Sequence, residues 1–161
     1  IKKVEEKSLI KGLSLAKWHG RFEIISEEPL VYADGAHNKD AAYRLRECIG
    51  LYLKNYRLIG VTGMFKDKDI DGVASILGSE FNYIITFSPT EKRGKDSSEL
   101  AQIYRKYNTN IINDGNLQKA LATAISLASN KYKNENSAII CFGSLSFMKQ
   151  LYSYFYNRAI K

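Results

Sequence analysis

Apolar residues in this chain come in short unbroken runs, and between the runs they recur at helical spacing. FEIIS (22–26), LVYAD (30–34), YRLIGVTG (56–63), FNYIITF (81–87), TNIIN (109–113) and SAIICFGS (137–144) read as strands. The turn signal EEP separates the first two. Ala41, Ala42, Leu45, Cys48, Ile49 and Tyr52 then repeat every three or four positions, which places them on one helix face. Leu100, Ile103, Tyr104 and Tyr107 do the same within 96–107, as do Leu117, Ala120, Leu121, Ala124 and Ala128. Leu145, Met148, Tyr152, Phe155 and Tyr156 stripe the last helix, and DIDGVASILGS (69–79) predicts a shorter one. Strands that are apolar throughout need cover on both faces, and the intervening helices supply it. The expected fold is α/β: a Rossmann-like open, mostly parallel sheet of about six strands with helices on both faces. Residues 1–20 lie outside the alternation and read as a linker or lead-in with a short helix. Residues 21–161 read as one domain.

Composition narrows the picture. A chain of 161 residues with 45% hydrophobic content fits one domain with its own core. It begins with isoleucine rather than methionine, which suggests a processed protein or a piece of a longer one. Its two cysteines, Cys48 and Cys141, fall in apolar segments and suggest neither a disulfide framework nor a thiolate metal site. They fit small core residues in a reducing, cytoplasmic compartment. No stretch reaches transmembrane length, so no membrane partner is expected. The net charge of +7 suggests acidic partners such as nucleotides, polycarboxylates or nucleic acid, although a solvated lysine-rich surface gives the same number. The basic residues are scattered rather than blocked, which weighs against nucleic acid.

Ligands of open parallel sheets sit beyond the carboxyl ends of the strands. Those ends are DGAHN, VTGMFKDKD, FSPTEKRGKDSS, NDG and FGSLS, and five converging loops are expected to form the site. In DGAHN, Asp34 ends a strand, Gly35 and Ala36 allow a tight turn, and Asn38 suits a helix N-cap. His37 would stand just before a helix N-terminus, where anions are favoured. Asp34 could accept from ribose hydroxyls. A merely capped strand–turn–helix junction fits these residues equally well. Lys66 and Lys68 could meet phosphate or carboxylate beside Asp67 and Asp69, the latter a helix cap. Lys92, Arg93 and Lys95 offer an anion-binding loop, with Ser97 and Ser98 as caps of the following helix. Ser144 follows Gly143 where a helix begins and could bind a carboxylate. It lacks the flanks of a nucleophile elbow. In WHGRFE, Arg21 could reach a phosphate, Trp18 could anchor the lead-in, and His19 reads as a surface histidine. The chain has no P-loop and no cluster at metal-ligand spacing, so any main phosphate cradle lies elsewhere.

Taken together, WHGRFEII, PLVYADGAHN, VTGMFKDKDIDGVASIL and IICFGSLSFMKQL resemble the carboxyl-terminal domain of the folylpolyglutamate synthase/dihydrofolate synthase family of the Mur ligase superfamily. The likeness runs from about residue 10 to the end. DGAHN after GR is its specific part. His19 stands where the family usually has proline, and SPTEKRGK departs from its proline–arginine pattern. The resemblance implies an ATP- and Mg²⁺-dependent ligase that activates a folate carboxylate as an acyl phosphate and joins it to L-glutamate. The Mg²⁺ and the P-loop belong to an amino-terminal ATPase domain absent from this chain, so the chain alone is expected to be inactive. Arg21 and Asp34, with Asn38 as a weaker candidate, match ATP-binding positions. His37 matches the histidine beside the acyl phosphate and incoming glutamate, in an electrostatic role. Ser144 matches a glutamate-binding serine, and Lys66 and Arg93 are weaker candidates. A monomer is expected. The alternatives are another Mur-type amide ligase acting on a peptidoglycan precursor, and a non-catalytic nucleotide-binding module.

Overall fold

The computed structural model of the chain describes residues 5–15, 18–89 and 92–159. Six strands form one sheet: β1 (Glu23–Glu27), β2 (Leu30–Ala33), β3 (Arg57–Thr62), β4 (Tyr83–Phe87), β5 (Ile111–Gly115) and β6 (Ser137–Phe142). Their order across the sheet is β1-β2-β6-β3-β4-β5. β1 runs antiparallel to β2, and every other pairing is parallel. The helices are α1 (Glu6–Leu15), α2 (Lys39–Tyr52), α3 (Ile70–Leu77), α4 (Ser97–Tyr104), α5 (Leu117–Ser126) and α6 (Met148–Ala159).

β6 comes last among the strands in sequence yet lies between β2 and β3, and its residues 138–142 are buried. Their side chains alternate between two cores. Ala138, Ile140 and Phe142 pack with α2, α3 and α4, whereas Ile139 and Cys141 pack with α5 and α6. Each fully buried aliphatic or aromatic side chain stabilises the fold by roughly 1.5–3 kcal/mol over exposure. Phe142 anchors its layer, stacking on Phe81 at 5.3 Å and meeting Tyr104 edge-on at 6.5 Å. The edge strands β1 and β5 are only partly covered, which is why they tolerate polar residues.

Topology opens the site. α2 leaves β2 on one face and α6 leaves β6 on the other. Adjacent strands whose helices depart on opposite faces leave a crevice at their carboxyl ends.

Four local details differ from the sequence reading. α4 is capped by Asp96, whose carboxylate accepts from the Ser98 and Glu99 amides, rather than by Ser97 or Ser98. β5 runs through Asp114 and Gly115 instead of ending before them, because a bulge opposite Thr86 and Phe87 extends the pairing. Tyr52 turns outward at the end of α2 and lies 5.9 Å from the ring of Phe22. The last helix starts as a 3-10 turn, Leu145–Phe147, before α6. Asp69 caps α3 as its position suggests, accepting from Gly72 N–H at 2.9 Å. Leu9 and Ile10 of α1 are exposed by 55% and 59%. Among the described residues, no helix is long and apolar enough to cross a membrane.

Candidate functional site

The turn after β2 is built around Asp34, a residue only 8% exposed. One oxygen accepts from Ala36 N–H and the other from Phe22 N–H, both at 2.8 Å. Burial pushes the Asp34 carboxyl above its ordinary range; the two amides and the Arg21 charge pull the other way. Asp34 thus ties the WHGRFE segment to the strand end, and both oxygens already serve the backbone. The turn is closely covered at Gly35: a Cβ there would lie 2.4 Å from Arg21 Nη1 and 2.5 Å from Leu145 Cδ2, both on flexible side chains. Arg21 therefore lies over the turn with its side chain exposed. Asn38 is the N-cap of α2, its Oδ1 accepting from Ala41 N–H at 2.9 Å.

His37 Nδ1 lies 2.7 Å from the carbonyl oxygen of Gly35. A carbonyl only accepts, so Nδ1 carries the proton and Nε2 of the neutral ring holds the lone pair. His37 lines a cavity of about 280 Å³ together with Ser144, Ser146 and Leu145 from the turn after β6. Gly143 precedes them at φ +116° and also lines the cavity. Ser144 is 6% exposed; its Oγ accepts from Ser146 N–H at 3.1 Å and donates to Ser146 Oγ at 2.9 Å.

The loops after β3 and β4 complete the wall with Phe65, Lys68 and Arg93. They are strapped together: Phe65 bridges Gly94, Lys66 N–H donates to the Arg93 carbonyl at 3.1 Å, and Lys95 N–H to the Met64 carbonyl at 2.8 Å. The Arg93 guanidinium lies 4.9 Å from the centre of the Phe65 ring, so the ring holds it. Lys68 Nζ pairs with Asp67 at 3.1 Å, and that contact leads in holding the Asp67 carboxyl below its ordinary range. Two cations, two hydroxyls and an imidazole thus face one cavity of a size suited to a small amino acid. The arrangement attracts carboxylate or phosphate, and His37 Nε2 is available to take a proton.

The structure brings His37, Ser144 and Arg93 together. Lys66 is exposed and outside the cavity lining, whereas Lys68 lies in the wall. The structure corrects the number of loops, since four line the cavity. The segment after β5 borders a different cavity of about 640 Å³ between α5 and α6, with Asn116, Leu117 and Lys149 in its wall. Phe65 and Ser146 were missed. An aromatic residue amid the charges of GMFKDKD was the available signal for the first. His19 is exposed, yet its Nδ1 lies 2.9 Å from Glu23 Oε1. Among the described residues, no group of three or more His, Cys, Asp or Glu is placed to hold a metal ion.

Comparison with known proteins points one way. The family described as Mur ligase, glutamate ligase domain matches residues 20–145. The dihydrofolate synthase/folylpolyglutamate synthase of Buchnera aphidicola (subsp. Acyrthosiphon pisum) is 32% identical over 142 residues, covering 88% of this chain and 33% of that protein. The Escherichia coli protein of the same name is 30% identical over 138 residues, covering 86% and 31%. A solved structure of E. coli FolC in complex with DHPP and ADP has a TM-score of 0.83 at 26% identity, covering 98% of this chain and 36% of that one. Mycobacterium tuberculosis folylpolyglutamate synthase complexed with ADP and AMPPCP shares the fold, with a TM-score of 0.86 at 23% identity over 95% and 36% of the two chains. The chain spans about a third of the length of the curated relatives it matches.

Proposed function

Because the chain belongs to the Mur ligase, glutamate ligase domain family, we propose that it forms the glutamate-binding part of an ATP-dependent ligase that adds L-glutamate to a folate. The observation that carries the reading is the 280 Å³ cavity in which His37, Ser144, Lys68 and Arg93 converge. Glutamate is a dicarboxylate with one amine, and those residues are its chemical complement. Lys68 and Arg93 hold carboxylates by charge-assisted hydrogen bonds, and the Ser144 and Ser146 hydroxyls add neutral contacts.

The reaction proposed is attack of the glutamate amine on a folate acyl phosphate, made elsewhere in the ligase from ATP. A nitrogen–carbon bond forms, the carbon–oxygen bond to phosphate breaks, and inorganic phosphate leaves. The ammonium must shed protons for nitrogen to attack. His37 Nε2 accepts one, because the Gly35 carbonyl keeps the ring's other proton on Nδ1. The imidazolium so formed then stabilises charge developing on the acyl oxygen. Arg21, exposed above the turn, reaches for nucleotide phosphate. Asp34 and Asn38 act on the nucleotide side through the turn and helix start that they hold. The described residues do not fit a Mg²⁺ site of their own, so no step here runs through the metal.

Radiolabelled glutamate incorporation by the full-length ligase tests the reading. His37→Ala is expected to lower glutamate addition by at least about 100-fold while ATP affinity changes little. Turnover in that variant at the parent rate would remove His37 from the chemistry.

A further inference from the structure

We propose that Glu23 is a positioning residue for Arg21, and that Tyr152 on α6 holds Glu23 in that role. This rests on the reading that Arg21 contacts an anionic substrate. Glu23 opens β1 and its side chain is 26% exposed. One carboxylate oxygen accepts from Gly20 N–H at 2.8 Å and from the Tyr152 hydroxyl at 2.5 Å. The other faces His19 Nδ1 at 2.9 Å. Three donors on one carboxylate of an edge strand exceed what pairing β1 to β2 requires.

Their effect falls on Arg21. The Gly20 carbonyl accepts from Gly35 N–H at 2.8 Å and from Arg21's own Nη1 at 3.2 Å. On the other side, Phe22 N–H is held by Asp34 at 2.8 Å. Arg21 is therefore the residue between two pinned amides. Glu23 supplies the pin on one side and Asp34 the pin on the other. Without Glu23, Gly20 keeps only the contacts of its carbonyl, and the residue that leads into Arg21 is held on one side alone. Tyr152 lies five residues beyond Phe147, which closes the 3-10 turn behind Ser144. The 3-10 turn that carries Leu145 and Ser146 in the cavity wall runs directly into α6, which carries the Tyr152 clamp on Glu23.

Glu23→Gln keeps the size but replaces one acceptor oxygen with an N–H₂ donor. In the full-length ligase it is expected to raise KM for ATP about tenfold, the loss of one hydrogen bond to a charged group, with kcat changed less than about threefold. Tyr152→Phe removes only the hydroxyl and should move KM the same way by a smaller factor. The deciding measurement is the cycle with Arg21→Ala. If Glu23 works through Arg21, then Glu23→Gln adds nothing to KM in the Arg21→Ala background. A merely structural Glu23 would lower the urea midpoint and multiply the two KM effects. Multiplied effects, or parent KM in both Glu23→Gln and Tyr152→Phe, would overturn the proposal while leaving the ligase reading intact. Parent KM for ATP in Arg21→Ala would overturn the proposal through its premise, and glutamate incorporation in the same variant reports separately on the ligase reading. Should Glu23→Gln fail to fold, Tyr152→Phe carries the same cycle.

Discussion

Replacing Gly143 with alanine tests whether the turn after β6 is dictated by backbone. At φ +116° the residue lies where an L side chain is strained. A Cβ there would sit 2.5 Å from the Gly63 carbonyl oxygen and 3.0 Å from both Met64 Cγ and Thr62 Oγ1. The carbonyl cannot rotate away, because β3 and β6 pair up to Thr62 and Phe142 and Gly63 N–H donates to the Phe142 carbonyl. Strain of about 1–3 kcal/mol adds to overpacking of about 1–3 kcal/mol. The sum, about 2–6 kcal/mol, is a large share of the roughly 5–15 kcal/mol that holds a domain. Gly35→Ala is the control. Its Cβ would meet Arg21 Nη1 at 2.4 Å and Leu145 Cδ2 at 2.5 Å. Both are ends of flexible side chains, and Leu145 is 45% exposed. The expected cost there is under about 1 kcal/mol. In urea, followed by far-UV circular dichroism, a slope near 2 kcal/mol/M would lower the Gly143→Ala midpoint by roughly 1–3 M. The Gly35→Ala midpoint should move by less than about 0.5 M. Equal midpoints for Gly143→Ala and the parent would refute the close-approach argument.

Asp34→Asn should reveal the cost of burying that carboxylate. Its folded pKa is raised by burial, so between the ordinary value and the raised one the native state binds more protons than the unfolded chain. Its stability contribution is therefore present below the ordinary carboxylate pKa and lost as pH rises through the folded value. The parent-minus-Asp34→Asn difference in unfolding free energy should shrink with rising pH across that window; a difference that grows would reverse the assignment. Asn38→Ala removes the cap on α2 and should cost about 1 kcal/mol in the same urea assay. An unchanged midpoint would show that another group takes over the Ala41 amide.

The sheet was legible because an apolar run covered on both faces has few alternatives. Residues 137–144 read as a strand covered on both faces, and the striping of Leu45 and Ile49 or of Leu117 and Leu121 marked which faces turn inward. The ends of elements were less readable. Asp96 rather than Ser97 caps α4, and a bulge carries β5 through Asp114, both decided by how neighbouring segments meet. The same limit applied at the site. His37 and Ser144 were visible because each lies in the turn that follows a strand, but Lys66 and Lys68 are equivalent by eye. The Phe65–Gly94 strap, a pairing across 29 residues of sequence, turns the second inward. Glu23 went unnoticed because a carboxylate on an edge strand is unremarkable until Tyr152 arrives from 129 residues away.

The position of Cys141 gives the molecule a chemical clock. Its thiol lies in the middle of the sheet with 0% exposure, and burial pushes it far above the ordinary thiol range. The thiol of Cys48 on α2, half-buried, is also raised, with burial again the leading cause. A thiol reagent acts on the thiolate, so Cys48 reports local loosening of one helix. Cys141 packs under α5 and α6 and responds only when that helical layer lifts from the sheet. Two labelling rates from one sample thus separate loosening of α2 on one face of the sheet from opening of the α5–α6 layer on the other.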